Sequence, residues 1–123
     1  GLTYLFVSHD LRVVRHFCER TAVLYHGQLV EIAESSVIYR SPLHPYTQSL
    51  RASVLEISDT DHGQSVVRPR HETLRGFPEN GCRFAASCPF SQQICADAKP
   101  ELREYKPDHW VACHFTEDIA SQN

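Results

Sequence analysis

The chain has no methionine among its 123 residues, a single tryptophan, and no charge of one sign in excess: 12 Lys and Arg stand against 15 Asp and Glu, a net charge of −3. The charges are interspersed. With no basic stripe and no aromatic–basic alternation, a nucleic-acid partner is not expected. No apolar run approaches the roughly 20 residues of a membrane-crossing helix. No secretory leader is expected from the opening residues, which carry neither a charged n-region nor an apolar h-region. The length suits one modest domain or the end of a larger one. The absence of methionine, together with a start inside an apolar run, leads us to expect a piece of a longer chain or an engineered product.

The first apolar run is Leu2 to Val7, rich in strand-forming types and closed by Ser8-His9-Asp10. It reads as a buried strand of a parallel sheet. A helix is expected next, with Leu11, Val14 and Cys18 on one face and Asp10 or Ser8 capping its free N–H groups. His9 then sits where a parallel strand ends and a helix begins, the edge at which ligands bind open α/β sheets. Thr21 to Tyr25 is a second strand, His26-Gly27 a tight turn, and Gln28 to Ala33 a third strand. Ser35-Ser36 can cap a short helix through Arg40, which Ser41-Pro42 breaks. Pro45 suits the first turn of a further helix, with Tyr46, Leu50 and Val54 along its apolar stripe.

Together these segments carry a resemblance. Leu5-Phe6-Val7-Ser8-His9-Asp10-Leu11 resembles the switch-histidine segment of ABC-transporter ATPases, and Gly27-Gln28-Leu29-Val30-Glu31 resembles the hairpin that follows it there. Ala33 stands where that family commonly has glycine. Pro42-Leu43-His44-Pro45-Tyr46-Thr47 is similar to the mark of the oligopeptide/dipeptide branch of ABC importers. The resemblance implies an α/β fold: the C-terminal piece of an ABC ATPase over residues 1–54, a linker over 55–80, and a small, loop-rich, metal-stapled extension over 81–123. It implies that His9 is catalytic and binds the γ-phosphate of ATP. His-Pro-Tyr is expected to be structural. The family's Gly-Lys-Ser/Thr phosphate loop, signature loop and Asp-Glu strand end are not in this sequence.

Five cysteines occur, at positions 18, 82, 88, 95 and 113. Cys18 reads as an inert residue on the first helix. Cys82, Cys88, Cys95 and Cys113 follow the spacing C-x5-C-x6-C-x17-C in a segment with few large aliphatic residues. Such a segment usually needs a disulfide or a metal staple. Nothing in the sequence argues for an oxidising compartment. Zinc knuckles place paired cysteines closer together than these stand, whereas an iron–sulfur cluster takes four thiolates over longer spans; spacing alone leaves both metals open. The resemblance implies the cluster: some peptide-importer ATPase subunits end in Gly-Cys-x-Phe-x-x-x-Cys-Pro-x(5)-Cys and a final Cys-His. Gly81-Cys82-Arg83-Phe84, Cys88-Pro89, Cys95 and Cys113-His114 match it, with Ser87 where arginine is usual. Trp110 and Phe115 are expected to cover the cluster. His16, His26, His44, His62 and His71 receive no chemical role, and His109 or His114 could replace a lost thiolate.

The function implied is that of an ATP-binding subunit of a peptide-type importer, coupling ATP hydrolysis to solute uptake. ATP and Mg are its cofactors, with a [4Fe–4S] cluster and zinc as the alternative metal. Its partners are transmembrane permease subunits and a second ATP-binding subunit, at the cytoplasmic face of a prokaryotic membrane. This chain alone is expected to be inactive as an ATPase. The rival reading is a free-standing metal- or redox-sensing module built on the cysteines.

Overall fold

The computed structural model describes residues 1–56 and 76–123. Helix α1 (Leu11–Phe17) starts as the sequence suggests. Asp10 is its N-cap, accepting the Arg12 N–H at 2.9 Å, and Ser8 Oγ accepts the Asp10 N–H at 3.0 Å. Cys18 is its half-buried C-cap, with its N–H on the Val14 carbonyl at 2.9 Å. Strands β1 (Arg20–Tyr25) and β2 (Gln28–Glu34) form the expected hairpin. Its two-residue turn needs left-handed backbone at both positions, with φ of 45° at His26 and 81° at Gly27. That is the turn that matches strand twist.

Two helices follow, α2 (Ser35–Arg40) and α3 (Pro45–Glu56). The cap of α2 differs from expectation. Ser35 lies inside the helix and its Oγ pairs with Thr21 Oγ1 at 2.6 Å, tying α2 to β1. Glu34 holds the cap position instead, and Ser36 Oγ bonds its carboxylate. Val23, Val30, Ala33 and Ile38 form the buried core of this half, and Leu11, Tyr25, Val37, Tyr46 and Leu50 pack on it. Each such aliphatic side chain contributes roughly 1.5–3 kcal/mol by leaving water. Tyr46 and Leu50 thus act as the expected stripe of α3.

Beyond residue 76 come a 3₁₀ turn (Ala85–Ser87), α4 (Gln93–Asp97), the hairpin β3 (Arg103–Lys106) and β4 (His109–Val111), and α5 (Thr116–Ser121). The sheet runs β1-β2-β4-β3, and every neighbouring pair is antiparallel. Strands from 1–54 and from 81–123 therefore share one sheet.

One expectation is corrected here. Leu2 to Val7 is not a strand, and Leu2, Leu5 and Val7 are 82%, 94% and 87% exposed. A strand needs a neighbour for its backbone groups, and none of the described residues pairs with this run. Most of the expected linker, with His62 and His71, lies outside the described residues.

A bulge between Val23 and Leu24 shifts the β1–β2 register, so Val30 and Glu31 are both buried although they are neighbours on β2. The Glu31 carboxylate has no exposure to solvent. Its Oε1 accepts the Leu43 N–H at 2.8 Å and its Oε2 the His44 N–H at 3.0 Å, just ahead of α3. His109 Nε2 on β4 lies 2.7 Å from Oε1. An ionised carboxylate only accepts, so the ring nitrogen donates. One buried carboxylate thus joins β2, the start of α3 and β4, with its charge at a helix N-terminus.

Candidate functional site

The second half of the chain is folded around its cysteines. Gly81 presses against the end of α4. A Cβ there would lie 2.4 Å from the Ala96 carbonyl oxygen and 2.5 Å from that of Cys95, so a side chain does not fit. This contact lets the Cys82 N–H reach the Cys95 carbonyl at 2.7 Å. Cys95 is the buried residue of α4, and Cys88 ends the 3₁₀ turn. Cys113 arrives from β4. The Ala112 N–H donates to the Val30 carbonyl at 2.9 Å, extending the sheet contact to the residue before it.

All four cysteines line one cavity, together with His44, Pro45, Phe84 and Phe115. The space is narrow, about 10 Å³, roughly room for one water centre. The fold brings these four residues to one place. Cys18 is not part of the lining, nor is Trp110; Phe84, 1% exposed, lines the cavity beside Phe115. Among the described residues no three His, Cys, Asp or Glu side chains are arranged to hold a metal ion.

Backbone donors serve the sulfurs at a repeated spacing. In Cys113-His114-Phe115 the Phe115 N–H donates to Cys113 Sγ at 3.4 Å. The Phe84 N–H likewise serves Cys82, and the Phe90 N–H serves Cys88. Three Cys-x-Phe units therefore each turn an amide toward their own sulfur. Burial still dominates the thiols. It raises Cys82, pushes Cys88 up to about 12 and Cys113 up to about 11, with the neighbouring cysteines adding repulsion and the amides opposing it. Without a bound cation the Cys82, Cys88 and Cys113 thiols stay neutral near pH 7, because burial disfavours their charged form.

Three histidines lie near this region and have different bonds. His109 is tied to Glu31. His114 Nε2 donates to the Ala98 carbonyl at 2.8 Å. His44, 1% exposed, caps α3: its Nδ1 accepts the Tyr46 N–H at 3.1 Å, and its carbonyl accepts the Gln48 N–H at 3.0 Å. Its ring lies 6.0 Å from that of Phe84. The structural role expected for His-Pro-Tyr is thus seen in detail. Sequence reasoning missed Glu31 and gave His109 no part in the fold. The one available signal was a lone carboxylate inside an apolar strand, ahead of a proline-started helix with free N–H groups. His9 is exposed, one residue before the α1 cap, and does not line the cysteine cavity.

Residues 30–95, more than half of the chain, match the family described as "Oligopeptide/dipeptide transporter, C-terminal region". The chain is 41% identical over 121 residues to the "Oligopeptide transport ATP-binding protein AppF" of Bacillus subtilis, an alignment covering 94% of this chain and 36% of that protein. It is 43% identical over 119 residues to a "Putative peptide import ATP-binding protein" of Brucella ovis, covering 92% of this chain and 36% of that protein. The chain spans about a third of the length of these relatives.

The burial of His44 has a consequence for acid stability. Burial pulls its pKa down to about 4, against the opposing pull of the Glu31 carboxylate, while the unfolded ring titrates near its ordinary ~6.5. Below that value the unfolded chain takes up a proton that the folded chain refuses. Stability is therefore expected to fall as the pH drops from about 6.5 toward about 4, by at most ~3 kcal/mol from this residue. Urea midpoints at pH 7 and 4.5 check it: His44→Gln should show a shallower loss than the parent, and equal losses in both proteins would contradict the assignment.

Proposed function

Because the chain belongs to the oligopeptide/dipeptide transporter C-terminal region family, we propose that it serves as the C-terminal part of an ATP-binding subunit of a peptide importer. In this reading the complete subunit hydrolyses ATP with Mg and couples that step to solute uptake. It works with transmembrane permease subunits and a second ATP-binding subunit, as a peripheral protein at the cytoplasmic face of the membrane. What supports this is the identity of 41% to a protein named for oligopeptide transport and ATP binding. Among the described residues no helix is long and apolar enough to cross a membrane, which agrees with a peripheral place. The exposed apolar run Leu2 to Val7 calls for a covering surface, which the remainder of a subunit of the relatives' length supplies.

His9 is the residue we assign to ATP. It stands two residues after the apolar run and is exposed. Its role is to contact the γ-phosphate and hold the attacking water. His9→Ala in the complete subunit is expected to lower ATP turnover by about 10²-fold, the scale of one well-placed transition-state contact, with ATP binding little changed. Turnover near that of the parent removes His9 from the mechanism.

The cysteine site is assigned to an iron–sulfur cluster, held by Cys82, Cys88, Cys95 and Cys113. The observation that carries this is their convergence on one cavity with an amide aimed at each of three sulfurs. The ligating side chains that line the cavity are four thiols, His44 and His114, with no carboxylate among them. A single zinc ion needs four donors within about 2.3 Å of one point, whereas a cluster takes one sulfur at each of four irons. The cluster would supply the cation charge that the crowded thiols lack, and binding it adds to folding stability. Protein prepared without oxygen is expected to be brown and to contain iron and sulfide. Cys88→Ser should lose the colour and leave residues 81–115 open to protease, while Cys18→Ser changes neither. Stoichiometric zinc without iron overturns the cluster and favours zinc.

A further inference from the structure

His9 is bracketed by side-chain bonds that its two neighbours make to the backbone. The Ser8 hydroxyl accepts the Asp10 N–H at 3.0 Å, which closes a small turn with His9 at its centre. Such serine turns restrict the backbone torsions of the residue they enclose. On the far side Asp10 is itself held. Its Oδ1 accepts the Arg12 N–H at 2.9 Å, and the Arg12 guanidinium grips both carboxylate oxygens, Nε to Oδ1 at 3.2 Å and Nη2 to Oδ2 at 3.0 Å. The Asp10 carbonyl accepts the Val14 N–H at 3.2 Å and so starts α1.

These bonds act on the backbone and leave the ring outside. His9 is exposed, and the run in front of it, Leu2 to Val7, pairs with no described strand. Local bonds therefore set where the His9 Cα stands and in which direction its Cβ leaves. For a ring that must reach one oxygen of a phosphate this placement matters, because a misplacement of ~1 Å can cost about 10²-fold in rate. The bond needs a hydroxyl at position 8. Threonine would keep it, and alanine would remove it.

We propose that Ser8 is a positioning residue for ATP hydrolysis: its hydroxyl holds the backbone turn that sets the His9 ring against the γ-phosphate. The inference rests on the reading of His9 given above. Ser8 acts through His9 and needs no contact with the nucleotide. A neutral hydrogen bond of this kind favours the ordered turn by about two- to tenfold, which bounds the loss of turnover expected without it. The loss should appear in turnover rather than in ATP affinity, because His9 is assigned to the reacting phosphate and its water.

The test measures ATP turnover and ATP affinity in the complete subunit as parent, Ser8→Ala, Ser8→Thr, His9→Ala, and Ser8→Ala combined with His9→Ala. Ser8→Ala should lower turnover by about two- to tenfold with ATP affinity unchanged, and Ser8→Thr should recover most of it. In the His9→Ala background Ser8→Ala should cost nothing further, because a residue that acts through another has no effect once that one is gone. Parent-level turnover in His9→Ala overturns the reading of His9 and this proposal with it. A large loss in His9→Ala beside parent-level turnover in Ser8→Ala overturns the proposal alone. So does a Ser8→Ala loss of equal size with and without the His9 ring, or a loss that lies wholly in ATP affinity. If Ser8→Ala does not fold, Ser8→Val takes its place, since it keeps the branched bulk of threonine without the hydroxyl.

Discussion

The Glu31 carboxylate is the contact on which the rest of the molecule depends. A carboxylate removed from water is costly unless its oxygens are bonded. Here both are: Oε2 by His44, and Oε1 by Leu43 and His109. The three donors come from two distant places in the sequence, the residues ahead of α3 and the strand β4. The cost of burying the charge is recovered only when hairpin, helix start and second hairpin are all in place. The motif Gly27-Gln28-Leu29-Val30-Glu31 and the motif around His44-Pro45-Tyr46 are therefore one structural unit, joined through a side chain of the first and backbone amides of the second.

From that unit the cysteine site follows. Pairing of β2 with β4 and the Ala112 bond to Val30 bring Cys113 to the hairpin half. His44 and Pro45, fixed by Glu31, form one wall of the cavity, and Phe84 packs on His44. The Gly81 contact with α4 fixes Cys82 beside Cys95 locally. The site is thus assembled from both halves of the chain.

Local chemistry was legible in the sequence. The runs Thr21 to Tyr25 and Gln28 to Ala33 about the His26-Gly27 turn pointed to β1 and β2, Pro45 to the start of α3, and four cysteines in a core-poor segment to thiols gathered in one place. What local pattern does not contain was missed. The run Leu2 to Val7 has strand composition, but a strand exists only beside a partner, and the described residues offer none. Glu31 was invisible because a bulge breaks the two-residue alternation and its three bonding partners lie 12 to 78 positions away. The polar strand Arg103–Lys106 forms by pairing with β4 rather than by its own composition. His44 was legible as a helix start, but its place at the cavity was not, since that depends on Phe84 and the cysteines folding back onto α3.

The central claim is that one buried carboxylate holds the two halves together and so gathers the four thiols. The most direct measurement is the rate at which each cysteine of the folded, metal-free protein reacts with a thiol reagent, read by mass spectrometry, in the parent and in Glu31→Ala. Removing one partner of a buried charged network typically costs ~3–5 kcal/mol. Cys82, Cys88, Cys95 and Cys113 should therefore react at least tenfold faster in the variant, with Cys113 among them because it arrives on β4. Protection of all four at the parent's level in Glu31→Ala would contradict the claim.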